Sequence, residues 1–167
     1  MARRSEKGLL QELAKAPSTL FARPFDEQNG AICYRRDAAG QIEVLLLTSR
    51  DTGRWVIPKG WPMKGKKSHR AAAIEAWEEA GVTGKVDKKP LGFFTYMKGL
   101  KEGRSVPVAV KVHLLRVEKL DETFQEIGQR LLEWVSPLEA ARRVKEPELK
   151  SLLSSLERKL APKETKH

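Results

Sequence analysis

The segment 60–81 constrains this chain more than any other, because a basic loop without acidic residues leads into three closely spaced glutamates, Glu75, Glu78 and Glu79. Their i, i+3, i+4 spacing predicts an α-helix with all three carboxylates on one face. The opposite side is apolar, so we expect that side to be buried. Its residues are Ala73, Ile74, Ala76, Trp77 and Ala80.

The three glutamates have no cation close to them within the predicted helix, since no Lys or Arg lies three or four residues from any of them. They therefore repel one another by a few tenths of a kcal/mol per pair. A divalent cation would remove this repulsion, and Mg²⁺ takes oxygen ligands while keeping positions open for phosphate oxygens. A solvated acidic face would explain the glutamates alone. The basic loop before them favours a polyphosphate site.

Strand-like and helix-like segments together predict an α/β fold with a mixed sheet covered by two or three helices. The predicted strands are 30–36, 42–49, 55–57, 86–97, 106–117 and a short one that begins at 133. The first predicted helix begins near Ser68, its expected N-cap, and ends before Gly81, an expected left-handed cap. Two further helices are predicted at 137–144 and 148–160.

Composition favours a polyanionic partner, because the 167 residues carry a net charge of +10. The single cysteine, Cys33, excludes an intrachain disulfide and is expected to be a small buried residue rather than a nucleophile. We see no signal-peptide pattern and no apolar run long enough to span a membrane. The expectation is a cytoplasmic protein that does not bind a membrane. The oligomeric state stays open.

The helix and its flanks resemble the Nudix box, the metal-binding loop–helix–loop of Nudix hydrolases. The matching positions are Gly60, Glu75, Glu78, Glu79, Gly81 and Val82. The wider similarity covers about 29–144 and is greatest to the diphosphoinositol polyphosphate phosphohydrolase branch and its bacterial relatives. The resemblance implies an α/β/α sandwich and cleavage of a pyrophosphate bond in a diphosphate linked to another group. We expect a basic arm at 1–24, one Nudix domain at 25–160 and a frayed tail at 161–167.

The resemblance also implies roles for the box residues, with Mg²⁺ as the metal and Mn²⁺ as an alternative. Glu75 and Glu79 are the expected principal ligands, with Glu78 as a third, either directly or through water. The backbone carbonyl of Gly60 is the expected main-chain ligand.

The general base is expected to be Glu75 itself or a glutamate in the loop before the last strand. That loop offers Glu122, Glu126 and Glu133. We favour Glu126, because Phe124 and Ile127 would anchor its loop.

Two positions depart from the box, since Lys66 stands where the family usually has Glu and Ile74 where it usually has Arg. We interpret this as the joint replacement of a supporting charge pair, because losing one partner alone would strand a charge. Ile74 is then expected to pack partly against the sheet. Lys66 is expected to favour a more anionic substrate.

Cations around the box are the candidates for binding substrate phosphate. They are Arg35, Arg50, Arg54, Lys59, Lys64 and Lys66, with Lys98, Lys101 and Arg104 in a second basic loop. Trp61, Phe93, Phe94 and Tyr96 are candidates for stacking a base. No obvious donor–acceptor set reads a base, which favours an inositol or generic polyphosphate over a strictly recognised nucleotide.

The leading hypothesis is a Mg²⁺-dependent pyrophosphohydrolase acting on a small, highly anionic molecule such as a diphosphoinositol polyphosphate or a dinucleoside polyphosphate. The alternative is a catalytically degenerate Nudix-fold module that binds polyphosphate or RNA. The departures at Lys66 and Ile74 support the alternative, and the intact glutamates oppose it. Nucleic acid is not favoured, because no recognised RNA-binding motif is present.

Overall fold

The computed structural model describes residues 25–162, so the predicted arm 1–24 and most of the predicted tail lie outside the described residues. The strands are β1 (Asp26–Arg36), β2 (Ile42–Thr48), β3 (Trp55–Val56), β4 (Lys59–Gly60), β5 (Val82–Val86), β6 (Gly92–Gly99), β7 (Ser105–Leu120) and β8 (Leu132–Val135). The helices are α1 (Ser68–Ala80), α2 (Pro137–Arg143), α3 (Pro147–Ser154) and α4 (Leu156–Leu160). None of the described helices is long and apolar enough to cross a membrane.

The strands form one mixed sheet, as the sequence predicts, with β1 near its centre. β1 pairs antiparallel with β2 and parallel with the long strand β7. β7 also pairs antiparallel with β5 and with β6, and β2 pairs antiparallel with β3 and β8. The two-residue strand β4 pairs with the start of β1, where Asn29 faces Gly60 and Gly30 faces Lys59. This pairing brings the start of the Nudix-like segment to one end of the central strand.

Alternating residues of the central strands fill two apolar layers, one on each face of the sheet. Ala31 and Cys33 of β1 pack under α1 with Ala72, Ala76 and Ala80. Ile32 and its neighbours on the other face pack under α2, α3 and α4, which contribute Ala140, Leu149, Leu153 and Leu156. The predicted α/β/α sandwich is therefore confirmed, and the buried position of Cys33 agrees with its predicted structural role.

Several predicted boundaries of these elements are wrong. Ser68 is not the N-cap of α1, because Lys67 holds that position and the Ser68 hydroxyl lies 2.9 Å from Nε2 of buried His113. The stretch predicted as one strand at 86–97 is divided into β5 and β6. The last predicted helix is interrupted at Ser155, which lies between α3 and α4.

The prediction for Gly81 as a left-handed cap is confirmed, with φ 71°. Its amide donates to the carbonyls of Ala76 and Trp77, and so satisfies orphan acceptors at the end of α1. A Cβ at this position would also meet the Phe124 ring and the Asp121 carbonyl. Glycine is therefore required at position 81 for two reasons: the left-handed backbone conformation and the close approach of the segment that follows β7.

Candidate metal and phosphate site

A cavity of about 420 Å³ lies where the start of β1, β4, α1 and the β7–β8 connection meet. Its acidic lining is Asp51, Glu75, Glu79 and Glu126, and its basic lining is Arg50, Lys59, Lys98 and Arg130. Gly60, Trp61 and Gln28 also border it. The cavity therefore gathers carboxylates, cations and one exposed aromatic ring from segments that are far apart in the sequence.

Glu75 lies directly against the backbone of β4. A Cβ at Gly60 would overlap the carboxyl group of Glu75, so only glycine leaves room for this carboxylate beside the strand. Burial, followed by the charges of Glu79, Glu78 and Glu126, raises the pKa of Glu75 from 4.5 to about 8. The mutual repulsion that the spacing predicts is therefore present at this group.

Glu79 is the most deeply buried of the three helical glutamates, with 6% of its surface exposed. The Lys59 amide donates to its Oε2 at 3.1 Å, and Arg130 Nη2 lies 3.3 Å from its Oε1. Burial raises the pKa of Glu79 to about 7, although Arg130 and Lys59 act in the opposite direction. One carboxylate oxygen is thus fixed by the backbone of β4, and the other is held by a side-chain cation.

Glu126 reaches the same cavity from the β7–β8 connection, where the sequence predicts it. Its amide donates to the Glu78 carbonyl at 2.8 Å, which fastens the connection to α1. Its Oε1 lies 3.3 Å from Arg130 Nη2 and 3.3 Å from Arg50 Nη1. The carboxylate oxygen therefore contacts two guanidinium groups at the cavity.

The anchors of this connection differ in part from the predicted ones. Phe124 packs beside Gly81, in agreement with the prediction. Ile127 is 51% exposed, so its predicted role as an anchor is wrong. A second anchor comes from Trp77, whose indole N–H donates to Asp121 Oδ2 at 2.7 Å. Trp77, predicted only to be buried, thus fixes the start of the connection that carries Glu126.

Comparison with known proteins places this arrangement in a family. The model of the NUDIX domain matches residues 26–156, which is most of the chain. The chain belongs to the Nudix family. The prediction made from the box residues is therefore confirmed.

Individual relatives agree with this assignment. The chain is 31% identical over 112 residues to Nudix hydrolase 21, chloroplastic, of Arabidopsis thaliana, covering 64% of this chain and 52% of that protein. It is 31% identical over 91 residues to diphosphoinositol polyphosphate phosphohydrolase 3-alpha of Mus musculus, covering 54% of each. The chain thus spans about half the length of the curated relatives it matches.

Solved structures share the fold. The C. elegans Ap4A hydrolase matches with a TM-score of 0.58 and 25% identity, covering 83% of this chain and 100% of that one. The NUDIX domain of Shewanella oneidensis NrtR, solved with ADP ribose, matches with a TM-score of 0.61 at 13% identity, covering 89% and 98%. The second likeness is one of fold alone.

The donor set of this Nudix site fits a hard divalent cation. Within residues 25–162, no three His, Cys, Asp or Glu side chains already lie close enough to hold a metal ion. Yet the carboxylates of Glu75 and Glu79 border one cavity with Gly60, and burial raises the pKa of both, with neighbouring carboxylates adding to the rise. Carboxylate and backbone carbonyl oxygens are the ligands that Mg²⁺ prefers.

Glu78 is placed differently from the other two box glutamates. It is half-buried and does not line the cavity, although its charge contributes to the raised pKa of Glu75. Its backbone carbonyl instead receives the Glu126 amide. The predicted role of Glu78 as a third ligand stays a prediction.

The structure brings only two of the six predicted substrate cations to the cavity wall, Arg50 and Lys59. Burial lowers the pKa of Lys59, and the charge of Glu79 opposes this change. Lys98, predicted in the second basic loop, joins them, with its Nζ 5.9 Å from the Trp61 ring centroid. These three cations line the same cavity as the carboxylates of Glu75 and Glu79.

The other four predicted substrate cations lie elsewhere. Arg35 is near the far end of β1, where it pairs with Glu43 at 3.0 Å and stacks on Trp134. Arg54 is held in an ion pair with buried Glu146. Lys64 and Lys66 are exposed on the loop before α1, which turns back on itself at Gly65, so neither lines the cavity. The positions of Lys and Arg in the sequence do not distinguish cations on the protein surface from cations that line the cavity.

Sequence reasoning missed several residues of the wall, among them Gln28, Asp51 and Arg130. Gln28 is buried, and its Oε1 accepts a hydrogen bond from Tyr96 at 2.7 Å. Arg130 is the cation that the acidic helix lacks. One signal pointed to it: a buried acidic cluster with no cation of its own needs a charge partner from another segment.

Proposed function

We propose that this protein is a Mg²⁺-dependent pyrophosphohydrolase that cleaves a phosphoanhydride bond in a small, highly anionic substrate. Diphosphoinositol polyphosphates and dinucleoside polyphosphates are the leading classes. The observation that carries the proposal is one cavity lined both by Glu75, Glu79 and Glu126 and by Arg50, Lys59 and Lys98. Two relatives, a diphosphoinositol polyphosphate phosphohydrolase and an Ap4A hydrolase, support the substrate classes.

The cations of the cavity bind and orient the substrate in this proposal. Lys59 is half-buried and Lys98 extends from β6, and both line the cavity, so their ammonium groups offer point-charge contacts to phosphate oxygens. Arg50 offers a planar guanidinium suited to two phosphate oxygens at once. A substrate with several phosphates uses all three, which is the reason to expect a preference for high charge.

The carboxylates activate the attacking water molecule in this proposal. Glu126 is in position to accept a proton from a water molecule, and the guanidinium groups of Arg50 and Arg130 keep it oriented. Glu75 and Glu79 would hold the divalent cation, which neutralises phosphate charge and makes the water more acidic. Addition of water across the P–O–P bond then yields two products that each end in phosphate.

The test is product release from a panel of nucleotides, dinucleotides and inositol pyrophosphates, with Mg²⁺, with Mn²⁺ and with EDTA. We expect metal-dependent turnover, greatest for the most anionic substrates. Glu126→Gln should reduce kcat by at least tenfold, whereas Glu122→Gln, an exposed acid of the same connection, should not change it. Binding of the panel without turnover under any metal would refute hydrolysis and leave the phosphate-binding module as the function.

A further inference from the structure

Arg130 is a deeply placed cation of the Nudix site, with 9% of its side chain exposed, against 57% for Arg50. One of its terminal nitrogens, Nη2, lies 3.3 Å from both Glu79 Oε1 and Glu126 Oε1. The other, Nη1, donates to the Thr48 carbonyl at 3.1 Å. A single guanidinium therefore bridges α1 and the β7–β8 connection and is tied to the end of β2.

The pairing of this guanidinium is incomplete. Its Nε is buried and has no hydrogen-bond partner. Two carboxylates share one nitrogen at a distance longer than the roughly 2.7–2.9 Å of a strong charged hydrogen bond. A buried arginine with a purely structural role normally has its donors satisfied. The charge of Arg130 explains its position instead, because it lies between two carboxylates that would otherwise repel one another.

The charge balance of the cavity explains why a cation is needed there. The side chains of α1 contribute carboxylates to this wall, and position 74, where the family usually has Arg, is isoleucine. Ile74 is half-buried and is not among the described side chains that pack on either core cluster. The positive charge that the helix lacks is therefore supplied from the residues just before β8.

We propose that Arg130 is the internal counter-cation of the acidic cluster: it holds Glu79 and Glu126 together while no metal is bound, and it competes with the metal for Glu79. This rests on the proposed metal site. Competition follows from the geometry, because Arg130 contacts Oε1 of Glu79, one of the two oxygens available to a metal. The Lys59 amide holds Oε2, so Glu79 keeps its place without Arg130.

The proposal predicts opposite effects of one substitution on two quantities. In EDTA, Arg130→Met should lower the melting temperature by at least 5 °C, because neighbouring carboxylates lose their shared cation. The same variant should bind Mn²⁺ at least threefold more tightly in calorimetry, because a competing positive charge is gone. Arg130→Lys, which retains the charge, should restore most of the melting temperature. Arg158→Met, an exposed charge on α4, is the matched control and should change neither quantity.

A double variant keeps the test decisive if Arg130→Met alone does not fold. Glu126→Gln with Arg130→Met removes both partners of one pair, so it should recover at least half of the lost melting temperature. A parallel loss of stability and of Mn²⁺ affinity in Arg130→Met would overturn the proposal and make Arg130 a structural support. So would additive effects of the two substitutions.

The two proposals fail in different ways. If the wild-type protein binds no Mn²⁺, the proposed metal-dependent function fails and the competition fails with it. If the wild-type protein binds Mn²⁺ and turns over substrate while Arg130→Met weakens Mn²⁺ binding, only the role assigned to Arg130 is overturned.

Discussion

Replacing Glu79 by glutamine should make the metal-free protein more stable and the enzyme inactive. Burial raises the pKa of Glu79 from 4.5 to about 7, so the folded state binds this proton more tightly than the unfolded state does. The free energy of unfolding therefore falls as pH rises from about 4.5 towards about 7. Glutamine keeps the shape of the side chain and has no ionised form.

The size of the gain follows from that difference in pKa. A rise from 4.5 to about 7 corresponds to about 3 kcal/mol, at about 1.4 kcal/mol per pKa unit. The attraction of Arg130 and Lys59 is already contained in that pKa. Glutamine replaces one of the two accepting oxygens by an NH2 group, which accepts from neither donor, so we expect a net gain of about 2 kcal/mol at pH 8. For a chain of this length that is about 4–8 °C in melting temperature.

The assay is thermal unfolding in EDTA at pH 8 and pH 5, paired with turnover in Mg²⁺. The variant should be more stable than the wild type at pH 8, and this advantage should shrink at pH 5. Turnover should fall by at least a hundredfold, since a lost ligand carboxylate costs a few kcal/mol of transition-state stabilisation. Glu122→Gln is the control for both measurements. A variant that is less stable than the wild type at pH 8 in EDTA would refute the reasoning.

Three further substitutions test other contacts of the site and the fold. Gly60→Ala should abolish Mg²⁺-dependent turnover with a small change in melting temperature, because its Cβ would displace the Glu75 carboxylate, and turnover at wild-type rates would contradict this. Gly81→Ala should cost about 2–4 kcal/mol in urea unfolding, since it adds left-handed strain to the overlap with its neighbours. Burial lowers the pKa of His113, so the stability it provides is present above about pH 6.5 and is lost as pH falls through its lower folded value. His113→Gln should therefore lose less stability between pH 7 and pH 5 than the wild type does, and equal losses would show that another group is responsible.

The parts of the fold that follow from local pattern could be predicted from the sequence. Most strands, the acidic helix and the left-handed cap at Gly81 depend on patterns of residues that are close together in the chain, whereas the pairing of β1 with β7 joins residues that are far apart. The sequence also predicts Glu126 at the site, but of its two expected anchors, Phe124 and Ile127, the second is exposed. The true anchors, such as the Trp77 indole on Asp121, are contacts between distant residues.

The cations of the site could not be predicted in the same way, because a pattern of charged residues does not show which side chains line the cavity. Arg35 and Lys59 were equal candidates in the sequence. The pairing of β1 with β4 places Lys59 at the cavity, whereas Arg35 lies towards the other end of the same strand. Only strand register separates the two, and register depends on the whole sheet.

The departures from the Nudix box bear on whether such a site is active. Replacement of the box arginine by Ile74 would strand the helical carboxylates if α1 were their only source of a cation. Arg130 supplies that charge from the β7–β8 connection, at 3.3 Å from Glu79. The change at Ile74 is therefore offset within the site and does not by itself indicate a degenerate enzyme. Lys66 is a separate matter, because its exposed side chain does not line the cavity and its coupling to Ile74 stays a prediction.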